Sequence, residues 1–154
     1  MPLVAVVMGS KSDTEALKPT LEILTQLSID YEVNVISAHR TPEKARQYGL
    51  SARERGIEVI IAAAGGAAHL PGVLASWTIL PVIGVPLAGS AVDGVDALYS
   101  IVQMPAGIPV ACVAIGSAGA KNAAYLAAEI LGLKYDEIRK AYEKYRNDLQ
   151  GEGK

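Results

Sequence analysis

The sequence predicts an α/β protein in which a central parallel sheet is covered by helices on both faces. Three observations lead there. Strand-like and helix-like segments alternate along all 154 residues, the order that builds parallel sheets. The strand segments are near-continuous apolar runs, as expected where both faces of a strand are buried. Both histidines and the Gly-rich turns follow directly after strands, at the ends where such sheets bind ligands. The length fits one domain, residues 1–154, with a single sizeable core.

Leu3 to Met8 is the first strand, bounded by Gly9. Ser12 to Glu15 has the Ser-x-x-Glu form of a capping box, opening a helix that carries Leu17, Leu21, Leu24 and Leu27. Pro19 removes a helical hydrogen bond, so a kink or a late start is expected there. Tyr31 to Ile36 is the second strand. Thr41 is a candidate N-cap with Pro42 in the first helical position, and Gly56 stands where a helix stop is expected. Ile57 to Ala63 is the third strand, followed by a loop through Gly72 and a short helix to Trp77. Pro81 to Val85 is the fourth strand, and a short helix falls within Asp93 to Val102. Val110 to Ile115 is the fifth strand. An Ala-rich helix then spans about Ala118 to Leu131, with a small-residue face suited to close packing. Tyr135 to Leu149 forms a last amphipathic helix, a candidate for packing on a neighbouring subunit.

Composition excludes several classes of function. Hydrophobic residues make up 51% of the chain and charged residues 19%, which argues against disorder. The net charge of -2 comes without any Lys/Arg cluster, so a nucleic-acid groove is not expected. No apolar run approaches a membrane span, and Met1-Pro2-Leu3-Val4 passes directly into a strand pattern. A cytoplasmic protein without membrane contact is therefore expected. The one cysteine, Cys112, excludes an intrachain disulfide and reads as a small buried hydrophobe. Aromatic residues are 5% of the chain, with no Phe and one Trp, so flavin stacking is not expected. High hydrophobicity in a short chain points to self-association.

Five constellations bear on chemistry. Gly9-Ser10-Lys11-Ser12-Asp13 follows the first strand. Backbone N–H groups at a helix start favour phosphate, the hydroxyls of Ser10 and Ser12 add donors, and Asp13 can accept from ribose hydroxyls. The turn matches neither the Walker pattern nor the dinucleotide fingerprint, so ATP and NAD have no sequence support. Ser37-Ala38-His39-Arg40-Thr41-Pro42 places a histidine able to titrate near neutrality beside a guanidinium fork suited to phosphate. Ala64-Gly65-Gly66-Ala67-Ala68-His69-Leu70-Pro71-Gly72 lets a ligand approach the backbone closely. Two histidines without a local Asp, Glu or Cys are a poor metal set, so no metal is expected. The segment from Tyr99 through Gln103 to Pro109 reads as a rigid loop near a site or an interface. Lys121 and Asn122, near a helix start, are within plausible reach of a ligand.

Four of these segments in order resemble the class I, small-subunit type of the phosphoribosylaminoimidazole carboxylase family. The resemblance runs from about Val4 to Leu131. It rests on Met8-Gly9-Ser10-Lys11-Ser12-Asp13, on Ser37 to Pro42, on Gly65 to Gly72, and on Ser100-Ile101-Val102-Gln103-Met104-Pro105. It implies a three-layer flavodoxin-like fold, assembly as a homo-octamer, and a small ribonucleotide substrate, with no cofactor. The implied reaction moves a carboxylate from the exocyclic nitrogen to C4 of an aminoimidazole ribonucleotide by decarboxylation and recapture of CO2. The family's catalytic proton shuttle falls on His39. Its phosphate and ribose ligands fall on Ser10, Asp13 and Arg40, with Ser12, Ser37 and Ala38 nearby. Gly65, Gly66, His69 and Leu70 fall on the loop that covers the base and the carboxylate. A sister class that carboxylates the aminoimidazole directly usually has Lys where this chain has Arg40. A non-catalytic nucleotide binder of the same fold is the other alternative. Thr14, Ala63 and the stretch from Ser90 to Asp96 depart from the family's usual wording, which bears on packing and loop geometry.

Overall fold

The computed structural model describes residues 1–152. Five parallel strands form one sheet in the order β2-β1-β3-β4-β5. They are β1 (Val4–Met8), β2 (Tyr31–Val35), β3 (Val59–Ala64), β4 (Val82–Pro86) and β5 (Ala111–Cys112). This is the flavodoxin-like order, in which the chain reverses direction across the sheet at β1 and β3. The helices between them are α1 (Thr14–Gln26), α2 (Pro42–Ser51), α3 (Leu70–Trp77), α4 (Val95–Val102), α5 (Ser117–Gly132) and α6 (Asp136–Glu152).

Alternate residues of the central strands feed two cores. Val4, Val6, Met8, Val59, Ile61, Ile83 and Val85 face α1, α5 and the start of α6. Ala5, Val7, Ile60, Ala62 and Val82 face α2, α3 and α4. Every residue of β1, β3 and β4 is buried, which explains their unbroken apolar runs. β2, at one edge, is only half-buried.

Several local expectations need correction. The capping box at Ser12 does not form. A short 3-10 turn over Lys11–Asp13 intervenes, capped by the Ser10 side chain, and α1 begins at Thr14. Pro19 lies inside α1, where its missing N–H frees the carbonyl of Glu15 on an exposed turn. Thr41 occupies the N-cap position of α2, but its hydroxyl turns back to Ser37 instead of capping. α2 ends at Ser51, before Gly56, which closes the following turn at φ +91°.

β5 is two residues long where six apolar residues suggested a full strand. Pro109 precedes it and Pro86 ends its partner, so neither position can donate to the ladder. Beyond Cys112, Val113 N–H still donates to the Gly84 carbonyl and Gly116 N–H to the Pro86 carbonyl. Cys112 sits half-buried on this edge strand rather than in the core, with its thiol pushed up by burial. The small-residue face of α5 is deeply packed, with Gly119, Ala120, Ala123, Ala124, Ala127 and Ala128 all buried. Thr20 on α1 donates across this contact to the Ala120 carbonyl at 2.7 Å. α6 lies against α5, burying Ile138 and pairing Tyr142 with Glu129.

Candidate active site

The register brings three loops to one place. Met8 is level with Val35 on β2 and with Ala63 on β3, so β1, β2 and β3 end together. The loops that follow them meet over the carboxyl end of β1, joined by the loop after β4. They enclose an open cleft of about 580 Å³. That position is where open α/β sheets bind ligands.

After β1, Ser10, Ser12 and Asp13 line the cleft. The Oγ atoms of Ser10 and Ser12 lie 2.9 Å apart, and Ser10 Oγ accepts from the Ser12 N–H at 3.3 Å. Burial raises the Asp13 carboxyl above its ordinary range, opposed by a hydrogen bond from the Ser10 backbone. Thr14 starts α1 and donates to the Lys11 carbonyl at 2.7 Å, which ties the turn to the helix.

After β2, Ser37, Ala38, His39 and Arg40 line the same cleft. Ser37 Oγ accepts from the Arg40 N–H at 3.1 Å, and Thr41 Oγ1 donates to the Ser37 carbonyl at 2.9 Å. This side-chain bracing fixes a turn that has no ladder of its own.

After β3, Gly65, Gly66, His69 and Leu70 complete the set. Gly66 has φ +59° and Ala68 φ +47°, and Ala68 N–H closes the turn on the Gly65 carbonyl at 3.1 Å. A left-handed alanine that is also buried costs about 1–2 kcal/mol, a local strain of the kind functional loops retain. The turn delivers His69 at the start of α3. Its Nδ1 lies 2.6 Å from Nε2 of His39.

Every residue that the family resemblance assigned to the site therefore lines one cleft. Gly9, Ala64 and Ala68, their chain neighbours, line it as well, as do Ala88, Gly89 and Ser90 after β4. The last three were missed. The strand-end rule applied to Pro86 would have found them, since Gly89 at φ +123° marks a special turn. In the departing stretch, Ser90 donates to Asp96 at 2.9 Å, which ties the loop to α4. Ala63 is fully buried within β3.

Lys121 and Asn122 lie elsewhere, in a groove with Pro19, Gln26 and Tyr145 on the α1/α5 side. Gln103 is also outside the cleft, though the following Met104 packs against Gly72 of α3. Among the described residues, no three His, Cys, Asp or Glu side chains converge as a metal-binding group. No helix among them is long and apolar enough to cross a membrane.

Fold and cleft define a flavodoxin-like α/β protein whose polar strand-end site is centred on two imidazoles. The chain belongs to the AIR carboxylase family, whose model matches residues 3–152. It is 59% identical over 150 residues to the N5-carboxyaminoimidazole ribonucleotide mutase of Pyrococcus abyssi, covering 97% of this chain and 85% of that protein. The protein of that name from Saccharolobus solfataricus is 59% identical over 152 residues, covering 99% and 95%. Among solved structures, Treponema denticola PurE superposes with a TM-score of 0.86 at 29% identity, covering 99% of this chain and 94% of that one.

Proposed function

We propose that the chain is an isomerase of purine biosynthesis. It converts N5-carboxyaminoimidazole ribonucleotide to the 4-carboxy-5-amino isomer on the path to IMP. The observation that carries this reading is the meeting of His39, Arg40, the Ser10–Asp13 turn and the Gly65–His69 loop in one cleft. The names of the relatives support it.

In this reading the 5′-phosphate sits against the Ser10 and Ser12 hydroxyls and the Arg40 guanidinium, with Ser37 and Ala38 lining the approach. Asp13 accepts from the ribose hydroxyls. Gly65 and Gly66 let the imidazole base lie close to the backbone, under His69 and Leu70. His39 is the catalytic acid-base group. It gives a proton to the exocyclic nitrogen as the N–C bond breaks, with the bonding pair going to nitrogen and CO2 released. CO2 held beside the ring is captured at C4, and His39 takes back the proton that C4 loses. No net proton is consumed, and neither a metal nor a nucleotide cofactor takes part.

The same reading covers organisation. The chain acts as one domain in a cytoplasmic homo-octamer, and the outer part of α6 is available to a neighbouring subunit. Leu149, 48% exposed near its end, supports that placement.

Absorbance kinetics with the carboxyamino substrate alone, without added bicarbonate, test the reaction. Turnover is expected. If only aminoimidazole ribonucleotide plus CO2 reacts, the chain is a direct carboxylase. His39→Asn should lower kcat by about 10²- to 10⁴-fold while substrate still binds. Unaltered turnover in that variant would remove His39 from its role.

A further inference from the structure

His39 and His69 are the only histidines of the chain and stand 30 positions apart, yet their rings meet. Nε2 of His39 is 2.6 Å from Nδ1 of His69, and the rings are nearly perpendicular, at 85° with centroids 4.8 Å apart. An N···N contact of this length requires one hydrogen and one bare nitrogen between the two atoms. It therefore couples the tautomer of one ring to that of the other. Among the described residues, His69 is the one side chain hydrogen-bonded to the His39 ring.

The support behind His69 is stiff. The left-handed Ala68 precedes it, its carbonyl accepts from Val73 N–H at 2.9 Å as α3 begins, and Pro71 lies in the first turn. The backbone of His39 is braced from the other side by Ser37 and Thr41. Two independently fixed loops thus hold the two ends of one imidazole contact.

We propose that His69 is a positioning residue for the proton shuttle. By accepting the Nε2–H of His39 at its own Nδ1, it holds the rotation of that ring, keeps a hydrogen on Nε2, and leaves Nδ1 of His39 to exchange the proton with substrate. This rests on the isomerase reading above, and it changes the role of His69 from covering the base to setting the catalytic group. The His39 imidazolium gives its Nδ1 proton to the exocyclic nitrogen as the N–C bond breaks, leaving a neutral ring with its hydrogen on Nε2. Nδ1 takes the proton back from C4 once the C–C bond has formed. His69 ends each turnover unchanged.

The chain suits a direct test, because ¹⁵N-histidine labelling yields only two imidazole spin systems. Spectra of the full-length protein are recorded at about pH 8.5, above the ordinary titration range of histidine. His39 is expected in a single tautomer in the wild type and in exchange between tautomers in His69→Ala. In kinetics, His69→Ala should lower kcat by about 10- to 100-fold with KM within about threefold. His69→Asn, whose amide can occupy the place of Nδ1, should restore the tautomer and most of kcat. Both rings are exposed, so neither variant disturbs the core.

An unchanged His39 tautomer in His69→Ala overturns the proposal. So does a KM rise of about tenfold with kcat unaltered, which would make His69 a substrate ligand. Failure of the wild type to turn over the carboxyamino compound would sink the isomerase reading alone, and the spectra would still decide whether His69 sets the His39 ring.

Discussion

Asp13 shows the tension between stability and function at a single side chain. Burial raises its carboxyl, so the folded protein holds the proton more tightly than the unfolded chain does. The contribution to stability is then full below the unfolded value and lost as pH rises through the folded one. Asp13→Asn removes a carboxylate that is poorly solvated at neutral pH. Its melting temperature at pH 7 should rise by up to about 3 °C, discounted for the half-open setting, and the gain should vanish near pH 3. Substrate binding should weaken in the same variant. A lower melting temperature at pH 7 would show that the hydrogen bond from Ser10 outweighs desolvation. Residue types at strand ends were legible in the sequence here, because Ser, Asp, His and Arg are out of place beside apolar strands. The contact between His39 and His69 was not legible. It depends on β2 and β3 flanking β1 in level register, a long-range property that no local pattern encodes.

Among the elements, α5 depends most on the absence of a side chain. A Cβ at Gly119 would lie 1.6 Å from the Ala114 carbonyl oxygen, a backbone atom of the loop that enters the helix. Gly119→Ala must displace that loop, and should cost about 3 kcal/mol or more, roughly 10 °C in melting temperature. A loss below about 0.5 kcal/mol in urea titration would show that the loop yields freely. The Ala-rich pattern announced close packing at this helix. It did not announce that a backbone carbonyl was the partner. β2 is held to α2 by a different device. Glu32 accepts from Tyr48 and from Arg55, the latter at 2.6 Å, and Arg55 also covers the Tyr48 ring. Burial alone would raise the Glu32 carboxyl, but these donors and the Arg55 charge hold it below its ordinary 4.5. The stabilisation is present above that value and fades as pH falls through the lower folded one. Glu32→Gln should cost about 1–2 kcal/mol at pH 7, with the difference from wild type closing below about pH 4. Edge geometry was the weakest part of the sequence reading, at β5 as at β2. Pairing there is decided by which backbone donors a proline removes and by which side chains fasten the rim.

At the scale of the whole molecule, apolar surface is left without a partner among the described residues. On α4 and just before it, Val92, Val95, Tyr99 and Val102 recur at intervals of three or four and are 53%, 42%, 63% and 48% exposed. The opposite side of that helix, Ala97 and Ile101, is fully buried against the sheet. A helix apolar on both sides is expected where one side meets the core and the other a second subunit. Trp77, Ile79 and Ile108 add a separate apolar area below α3. The alternation of strands and helices was enough to foresee the layers, since right-handed crossovers leave few topologies open. The surplus of hydrophobic residues raised the expectation of association without pointing to a face that would carry it. If the octamer forms through the α4 stripe, a charge placed at its centre must be desolvated at each copy of the interface. Tyr99→Asp should then shift the mass seen by light scattering from eight chains to a smaller species. Its helical circular dichroism should stay intact, because an exposed side chain contributes little to the chain's own core. A wild-type protein that scatters as a single chain at all concentrations would refute the octamer. An octamer untouched by Tyr99→Asp would move the contact to the area around Trp77 and Ile79, where Ile79→Asp is the corresponding variant.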